Sequence, residues 1–211
     1  MSDVSVVIPF RNRHDHLRIL LRNVRDFLPE DTEYIVVEQG PSRKFNRGLL
    51  LNVGFNATDR ERVIFHDVDL VPDEALASQY SAPWPRPVVH FGCRFQRYNN
   101  TSSYFGGVVG FHRHAFPGFS NRYFGWGGED DSLRRRCRHP VARPTTGAYT
   151  DLEFLPTVRN KLDRLDATTK CTDKWEVRDS ECYASDNHTT THVECIETQH
   201  DATCRWLRVD L

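Results

Sequence analysis

The chain opens on a nearly unbroken apolar run, Val4-Ser5-Val6-Val7-Ile8, stopped by Pro9. A run without polar alternation suits a strand covered on both faces, as in a parallel sheet. From Asp15 to Phe27 the period changes. Leu17, Leu20, Leu21, Val24 and Phe27 recur every three or four residues and predict an amphipathic helix. Tyr34–Glu38 reads as a second strand and Asn46–Thr58 as a second helix, with Leu49, Leu50 and Val53 inward. Arg62–His66 is the third strand and runs into Asp67-Val68-Asp69. This β-α-β-α-β order predicts a doubly wound α/β sheet, whose ligands bind beyond the carboxyl ends of the strands. Pro9-Phe10-Arg11, Gln39-Gly40 and the Asp-Val-Asp triplet all follow strand ends, so they are expected to converge on one cleft.

Further along, Pro83-Trp84-Pro85-Arg86-Pro87 reads as a surface loop, Val88–Phe91 and Gly106–Phe111 as strands, and Asp130–Cys137 as a helix. Thr146–Leu155 holds a strand or turn, and residues 156–187 are polar and poorly patterned. Thr189–Cys195 and Cys204–Leu211 read as a C-terminal hairpin.

Composition narrows the function. A net charge of −1 gives no global field toward nucleic acid or an anionic membrane. Arg134, Arg135, Arg136 and Arg138 read as the solvated face of a helix. No segment approaches the ~20 apolar residues of a membrane span. The N-terminal run is too short for a signal peptide. None of the six cysteines forms a CxxC pair, which argues against a zinc site. In an oxidising compartment the expected pairs are Cys171–Cys182 and Cys195–Cys204.

Four motifs carry chemistry. In an extended segment Asp67 and Asp69 point the same way, and two carboxylates at a strand end suit a hard divalent cation. Phe124-Gly125-Trp126-Gly127-Gly128-Glu129-Asp130-Asp131 sets a flat apolar ring among glycines, ahead of three acids at a helix start. A carboxylate there is a candidate general base. In Phe45-Asn46-Arg47 the aromatic is a candidate to stack on a base and the guanidinium to meet a phosphate, with helix capping and core packing as the alternative. Tyr104-Phe105-Gly106-Gly107 suggests close backbone approach, with a buried turn as the alternative.

In order and spacing these motifs resemble the β-1,4-galactosyltransferase family. Pro9-Phe10-Arg11-Asn12-Arg13, FNRGLLLNVGF, HDVDLVP, YFGG and FGWGGEDD are similar to its successive donor-site segments, over residues 4–150. His66, Ser120-Asn121-Arg122 and Thr145-Thr146-Gly147 lean toward the branch that galactosylates xylose. The resemblance implies a GT-A fold: a Rossmann-like, mostly parallel sheet with helices on both faces. It also implies an inverting, Mn²⁺-dependent transfer from UDP-galactose to a carbohydrate acceptor, with Mg²⁺ as an alternative ion. Residues 1–211 then form one catalytic domain, with a nucleotide-sugar half (1–115) and an acceptor and lid half (116–211). The location expected is cytoplasmic for a full-length chain and Golgi-luminal for a truncated one.

Carried over by position, Pro9, Arg11, Arg13, Phe45, Arg47, Asp67, Val68, Arg94, Tyr104, Gly107, Trp126 and Glu129 fall in the donor site. Trp126, Gly128 and Asp131 fall in the acceptor site, Asp130 is the catalytic base, and Asp69 is a metal ligand. Tyr104 takes a position where an aromatic hydroxyl favours galactose over N-acetylgalactosamine. One segment departs from the family. Where relatives carry a metal-binding histidine, a gapless match sets Glu153, with Asp151 as the alternative, so a carboxylate is expected to replace the imidazole. Residues 154–170 are a candidate lid. Two rival readings stay open: another donor (UDP-N-acetylgalactosamine or UDP-glucose), or a catalytically silent nucleotide-sugar-binding module.

Overall fold

A computed structural model describes residues 2–98, 101, 103–172, the backbone of 193–196, and 204–211. The strands are β1 (Val4–Phe10), β2 (Glu33–Gln39), β3 (Arg62–His66), β4 (Leu70–Pro72), β5 (Val88–Val89), β6 (Val108–His112), β7 (Val141–Ala142), β8 (Tyr149–Asp151), β9 (Val193–Ile196) and β10 (Cys204–Val209). The helices are α1 (His14–Phe27), α2 (Arg47–Asn56), α3 (Glu74–Ser81), α4 (Glu129–Arg136) and α5 (Val158–Arg164). Eight strands form one sheet in the order β7-β5-β6-β3-β1-β2-β10-β9, and β4 pairs with β8 in a second, smaller sheet. The β3-β1-β2-β10 centre is parallel, whereas β6 runs antiparallel to β3, and β9 to β10.

The apolar run of β1 is buried throughout because its two faces meet different helices. Val4, Val6, Ile8 and Phe10 pack with Leu17, Leu20 and Val24 of α1 and with Leu76 and Tyr80 of α3. Val7 packs on the other face with Leu50 and Leu51 of α2 and Leu133 of α4. Pro9 does not end β1 as expected. Pairing with β2 continues to Phe10, whereas pairing with β3 stops at Val7, so Pro9 has a ladder neighbour on one side only. Helix α2 is buried on more than the expected stripe. Gly48, Leu50, Leu51, Asn52 and Gly54 are covered, while Leu49 and Val53 are half-buried. At Gly54 an added Cβ would lie 2.2 Å from Val7 Cγ1, so the absence of a side chain lets the helix sit directly on β1.

The expected C-terminal hairpin forms as β9–β10, and β10 also extends the main sheet beside β2. Its register corrects one cysteine pairing. Cys195 stands across from Leu207, three residues along from Cys204. At the rise of a strand that is about 10 Å, beyond the Cα reach of a disulfide. Cys182 and residues 189–192 lie outside the described residues. No helix among the described residues is long and apolar enough to cross a membrane.

Candidate active site

The ends of β1 and β3 converge as expected, on a cleft of about 530 Å³, within the ordinary range for small-molecule sites. Gln39 and Gly40 at the end of β2 do not line it, and the Gln39 amide instead donates to the Arg43 and Lys44 carbonyls. Pro9, Arg11, Arg13, Phe45, Arg47, Asp67, Val68, Asp69, Tyr104, Gly107, Trp126, Gly128, Glu129, Asp130, Asp131 and Glu153 all line the cleft. Of the residues assigned to donor, acceptor or metal, Arg94 and Asp151 do not. Arg94 is turned away, its Nε donating to the Gly147 carbonyl at 2.7 Å. The chain there forms two 3-10 turns, Phe91–Arg94 and Gln96–Tyr98, and it is Phe95, Arg97 and Tyr98 that face the cleft. Asp151 lies behind Glu153, taken up by Arg97 and by the backbone N–H groups of Glu153 and Leu155.

The Asp-Val-Asp triplet is not extended. It forms a tight turn between β3 and β4, with the Leu70 N–H reaching the Asp67 carbonyl at 3.4 Å. Each of the two carboxylates meets its own cation. Asp67 meets Arg47 Nε at 2.6 Å, and Asp69 lies 3.6 Å from Arg13 Nη1. Behind the turn, buried His66 bridges the Asp67 carbonyl (2.9 Å) and Tyr80 Oη (3.0 Å), and Tyr80 in turn meets Tyr149 Oη at 2.6 Å. Burial pushes the His66 imidazole down to about 4, so this link between β3, α3 and β8 is uncharged at neutral pH.

Register brings the metal-type acids together. The β4–β8 pairing sets Leu70 against Asp151, and the Leu152 N–H donates to the Asp69 carbonyl at 2.8 Å. One ligand atom each of Asp69, Asp151 and Glu153 then lies within 4.8 Å of the others. An all-oxygen donor set of this kind suits a hard cation such as Mn²⁺ or Mg²⁺. Three basic side chains share the same acids. Glu153 meets Arg13 (2.8 Å), Lys161 (2.6 Å) and Arg97 (3.2 Å). Burial opposes ionisation of Glu153, but Lys161 and Arg13 outweigh it and hold the carboxyl at about 2. Burial, with Asp67 and Glu153 nearby, raises Asp69 to about 6.

At the other wall Asp130 and Glu129 begin α4, whose N-terminal dipole favours negative charge. Asp130 accepts from Arg47 Nη1 at 2.8 Å, and Arg47 Nη2 reaches the Gly107 carbonyl at 3.2 Å. The expectation for Arg47 was a phosphate contact; the fold instead commits its guanidinium to Asp67, Asp130 and the turn between them. Burial drives the Asp130 carboxyl well above its ordinary range against the pull of Arg47, with Glu129, Asp67 and Asp131 adding to the rise. Among the described residues, buried Glu129 Oε2 has no hydrogen-bond partner, so it is open to a donor from a ligand or water.

The first glycine of the Tyr-Phe-Gly-Gly motif makes room for this base. A Cβ on Gly106 would lie 2.4 Å from Asp130 Oδ2 and 2.9 Å from the Tyr104 ring. Gly106→Ala is expected to displace the carboxylate and lower kcat by about 10²-fold, with little change in melting temperature; wild-type kcat would show that Asp130 adapts. Tyr104 is stacked flat on Tyr98, with centroids 3.6 Å apart. Arg11 lies over the Phe45 ring at 5.2 Å. The Trp126 segment is pinned from below: Gly125 N–H donates to Phe45 O (2.8 Å) and Trp126 N–H to Thr169 O (2.7 Å). Gly125 has φ +99°, and a Cβ there would meet the Lys170 carbonyl at 2.7 Å.

Sequence reasoning missed Phe95, Arg97, Tyr98, Lys161, Leu165, Thr168 and Thr169 as lining residues. Arg97 and Tyr98 fall in a stretch without period. Helix α5, which carries Lys161, buries none of its residues and so left no apolar stripe to read.

The doubly wound sheet, the acidic turn closing β3 and the cleft at the strand ends define a GT-A domain. Two family models match in sequence: the N-terminal region of glycosyl transferase group 7 over residues 1–81, and the N-terminal domain of galactosyltransferase over residues 86–152. The chain belongs to the β-1,4-galactosyltransferase family. It is 40% identical to human beta-1,4-galactosyltransferase 4 over 166 residues, covering 71% of this chain and 48% of that protein. It is 37% identical to beta-1,4-galactosyltransferase 5 of Sus scrofa over 169 residues, covering 72% and 43%. The chain thus spans about half the length of these relatives. Among solved structures, the catalytic domain of Drosophila beta1,4galactosyltransferase 7 in complex with xylobiose superimposes with TM-score 0.73 at 26% identity, over 99% of this chain and 94% of that one. A mutant of that enzyme, in complex with manganese, UDP-Gal and xylobiose, gives 0.72.

Proposed function

We propose that this chain is the catalytic domain of an inverting, Mn²⁺-dependent galactosyltransferase that moves galactose from UDP-galactose to a hydroxyl of a xylose-ended acceptor. The observation that carries the reading is one cleft with two acidic walls: a base-type carboxylate on α4, and a separate oxygen cluster at Asp69, Asp151 and Glu153. The fly neighbour's complex with manganese, UDP-Gal and xylobiose supports the donor, ion and acceptor.

Phe45 and Arg11 form an aromatic and cationic wall for the uracil, and Arg13 lies toward the diphosphate. The orphan Oε2 of Glu129 accepts a hydroxyl of the donor sugar. Asp130 takes the proton of the acceptor hydroxyl. The acceptor oxygen bonds to the anomeric carbon as the bond to the UDP oxygen breaks on the opposite face, so the configuration inverts. Asp69 and Glu153, with Asp151 behind, would hold the cation, which when bound offsets the charge on the departing diphosphate.

Both Glu153 oxygens now accept from Lys161, at 2.6 and 2.7 Å. Lys161 thus ties α5 to a carboxylate that would also serve the cation, which couples residues 154–170, the candidate lid, to that site. Glu153→Gln is expected to weaken Mn²⁺ binding by about tenfold or more, measured by direct titration without substrates. Unchanged affinity would remove Glu153 from the ligand set.

The reading itself is tested by UDP release from a panel of UDP-sugars, with and without Mn²⁺ and with a xylose-ended or an N-acetylglucosamine acceptor. Metal-dependent turnover confined to UDP-galactose with the xylose-ended acceptor is expected. Turnover with a different donor overturns the donor assignment. No turnover with any pair, alongside intact UDP and Mn²⁺ binding, identifies a silent module.

A further inference from the structure

Three metal-type side chains also meet far from the cleft. Glu61 leads into β3, His112 closes β6, and His114 sits in the 3-10 turn that follows. This is the amino end of β3, about 13 Å along the strand from the Asp67 end. The antiparallel register sets Arg62 against His112, and the Arg113 N–H donates to the Glu61 carbonyl at 2.8 Å. The backbone therefore fixes the three positions relative to one another.

Glu61 Oε1 lies 3.4 Å from His112 Nδ1 and 3.5 Å from His114 Nδ1. The contact to His112 is a long hydrogen bond, and both separations exceed the usual ~2.9 Å. The two match the spacing of ligands around a tetrahedral ion, since two atoms about 2.1 Å from zinc at the tetrahedral angle stand about 3.4 Å apart, and all three ligand atoms lie within 4.8 Å of one another. The two imidazoles have centroids 5.7 Å apart, and neither stands alone. His112 packs edge-on to Trp84 at 5.5 Å, and His114 to His139 at 6.1 Å.

We propose that Glu61, His112 and His114 form a two-histidine, one-carboxylate site for a divalent transition ion of the zinc type, with water as the fourth ligand. The donor set separates it chemically from the cleft. Imidazole favours Zn²⁺, whereas the all-oxygen cluster of Asp69, Asp151 and Glu153 favours Mn²⁺ or Mg²⁺. The lack of CxxC pairs bears only on cysteine-built sites. An ion here cross-links the entry of β3 to the exit of β6 and stabilises the sheet by mass action.

The test is a Co²⁺ titration of the full chain, followed by the visible bands of four-coordinate cobalt, with Zn²⁺ as competitor. Glu61 and His114 side chains are 54% and 62% exposed, so Glu61→Gln and His114→Ala are expected to fold; melting curves in chelator check this. Wild type and Glu153→Gln should show the bands and lose them to Zn²⁺. Glu61→Gln and His114→Ala should lack them, and Zn²⁺ should raise the melting temperature of wild type but not of His114→Ala. Equal bands in wild type and His114→Ala, no bands in wild type, or bands abolished by Glu153→Gln would each overturn the assignment. None of these readings requires galactosyl transfer, so the site and the proposed activity can fail separately.

Discussion

Asp130→Asn is expected to lower UDP-galactose turnover by about 10²–10⁴-fold while leaving the protein as stable as wild type or more so. The two effects share one cause. Burial raises the Asp130 carboxyl well above its ordinary range, so the folded state holds the proton more tightly than the unfolded chain. The stability gained from a protonated Asp130 is full below the ordinary carboxylate value and is lost as the pH rises through the folded one. Wherever Asp130 is ionised, its charge is therefore a burden on the fold that asparagine removes. The urea midpoint of the variant should equal or exceed that of wild type at neutral pH, with the difference closing in acid. The acid limb of kcat/KM for wild type should lie above the usual carboxylate range, because the base must be ionised to act. Wild-type turnover in Asp130→Asn would assign the base elsewhere. A large loss of stability would make Asp130 a structural residue.

Arg47→Met should produce the largest stability effect at the site. The guanidinium stands 2.6 Å from Asp67, 2.8 Å from Asp130 and 3.9 Å from Glu129, and its side chain is 11% exposed. Burial disfavours its charge, but Asp130, Asp67 and Glu129 outweigh that and raise its affinity for the proton. Removing the shared cation leaves three carboxylates crowded and unpaired, a change that costs about 3–5 kcal/mol. Burial already raises Glu129 and Asp130 against the pull of Arg47, and without that pull they rise further, so the deficit is greatest at neutral pH and shrinks as the pH falls. Urea unfolding of both proteins at two pH values measures this directly. A deficit that does not change with pH would point to lost packing against Phe119, 5.8 Å from the guanidinium, rather than lost charge.

The α/β class and the cleft at the strand ends were legible in the sequence because they rest on local pattern. The β1 run and the α1 stripe are each decided within a few residues. The motif glycines were legible as demands for space, but not as space for what. Gly106 admits Asp130 from a helix more than twenty residues away.

What the sequence by itself determined is the order of elements, the faces they bury and the inventory of acids and aromatics near each strand end. What only the tertiary structure decided is which charges meet. Asp69 finds Glu153 and Asp151 through the β4–β8 register, Arg47 spans Asp67 and Asp130, and Arg97 rather than Arg94 faces the cleft. The zinc-type cluster depends likewise on the β3–β6 pairing, which brings Glu61 to His112 and His114. Hydrophobic period is set by the local backbone repeat, so it is written residue by residue along the chain. A charge contact depends on strand register and turn geometry between distant segments, where a shift of one residue turns every side chain to the other face.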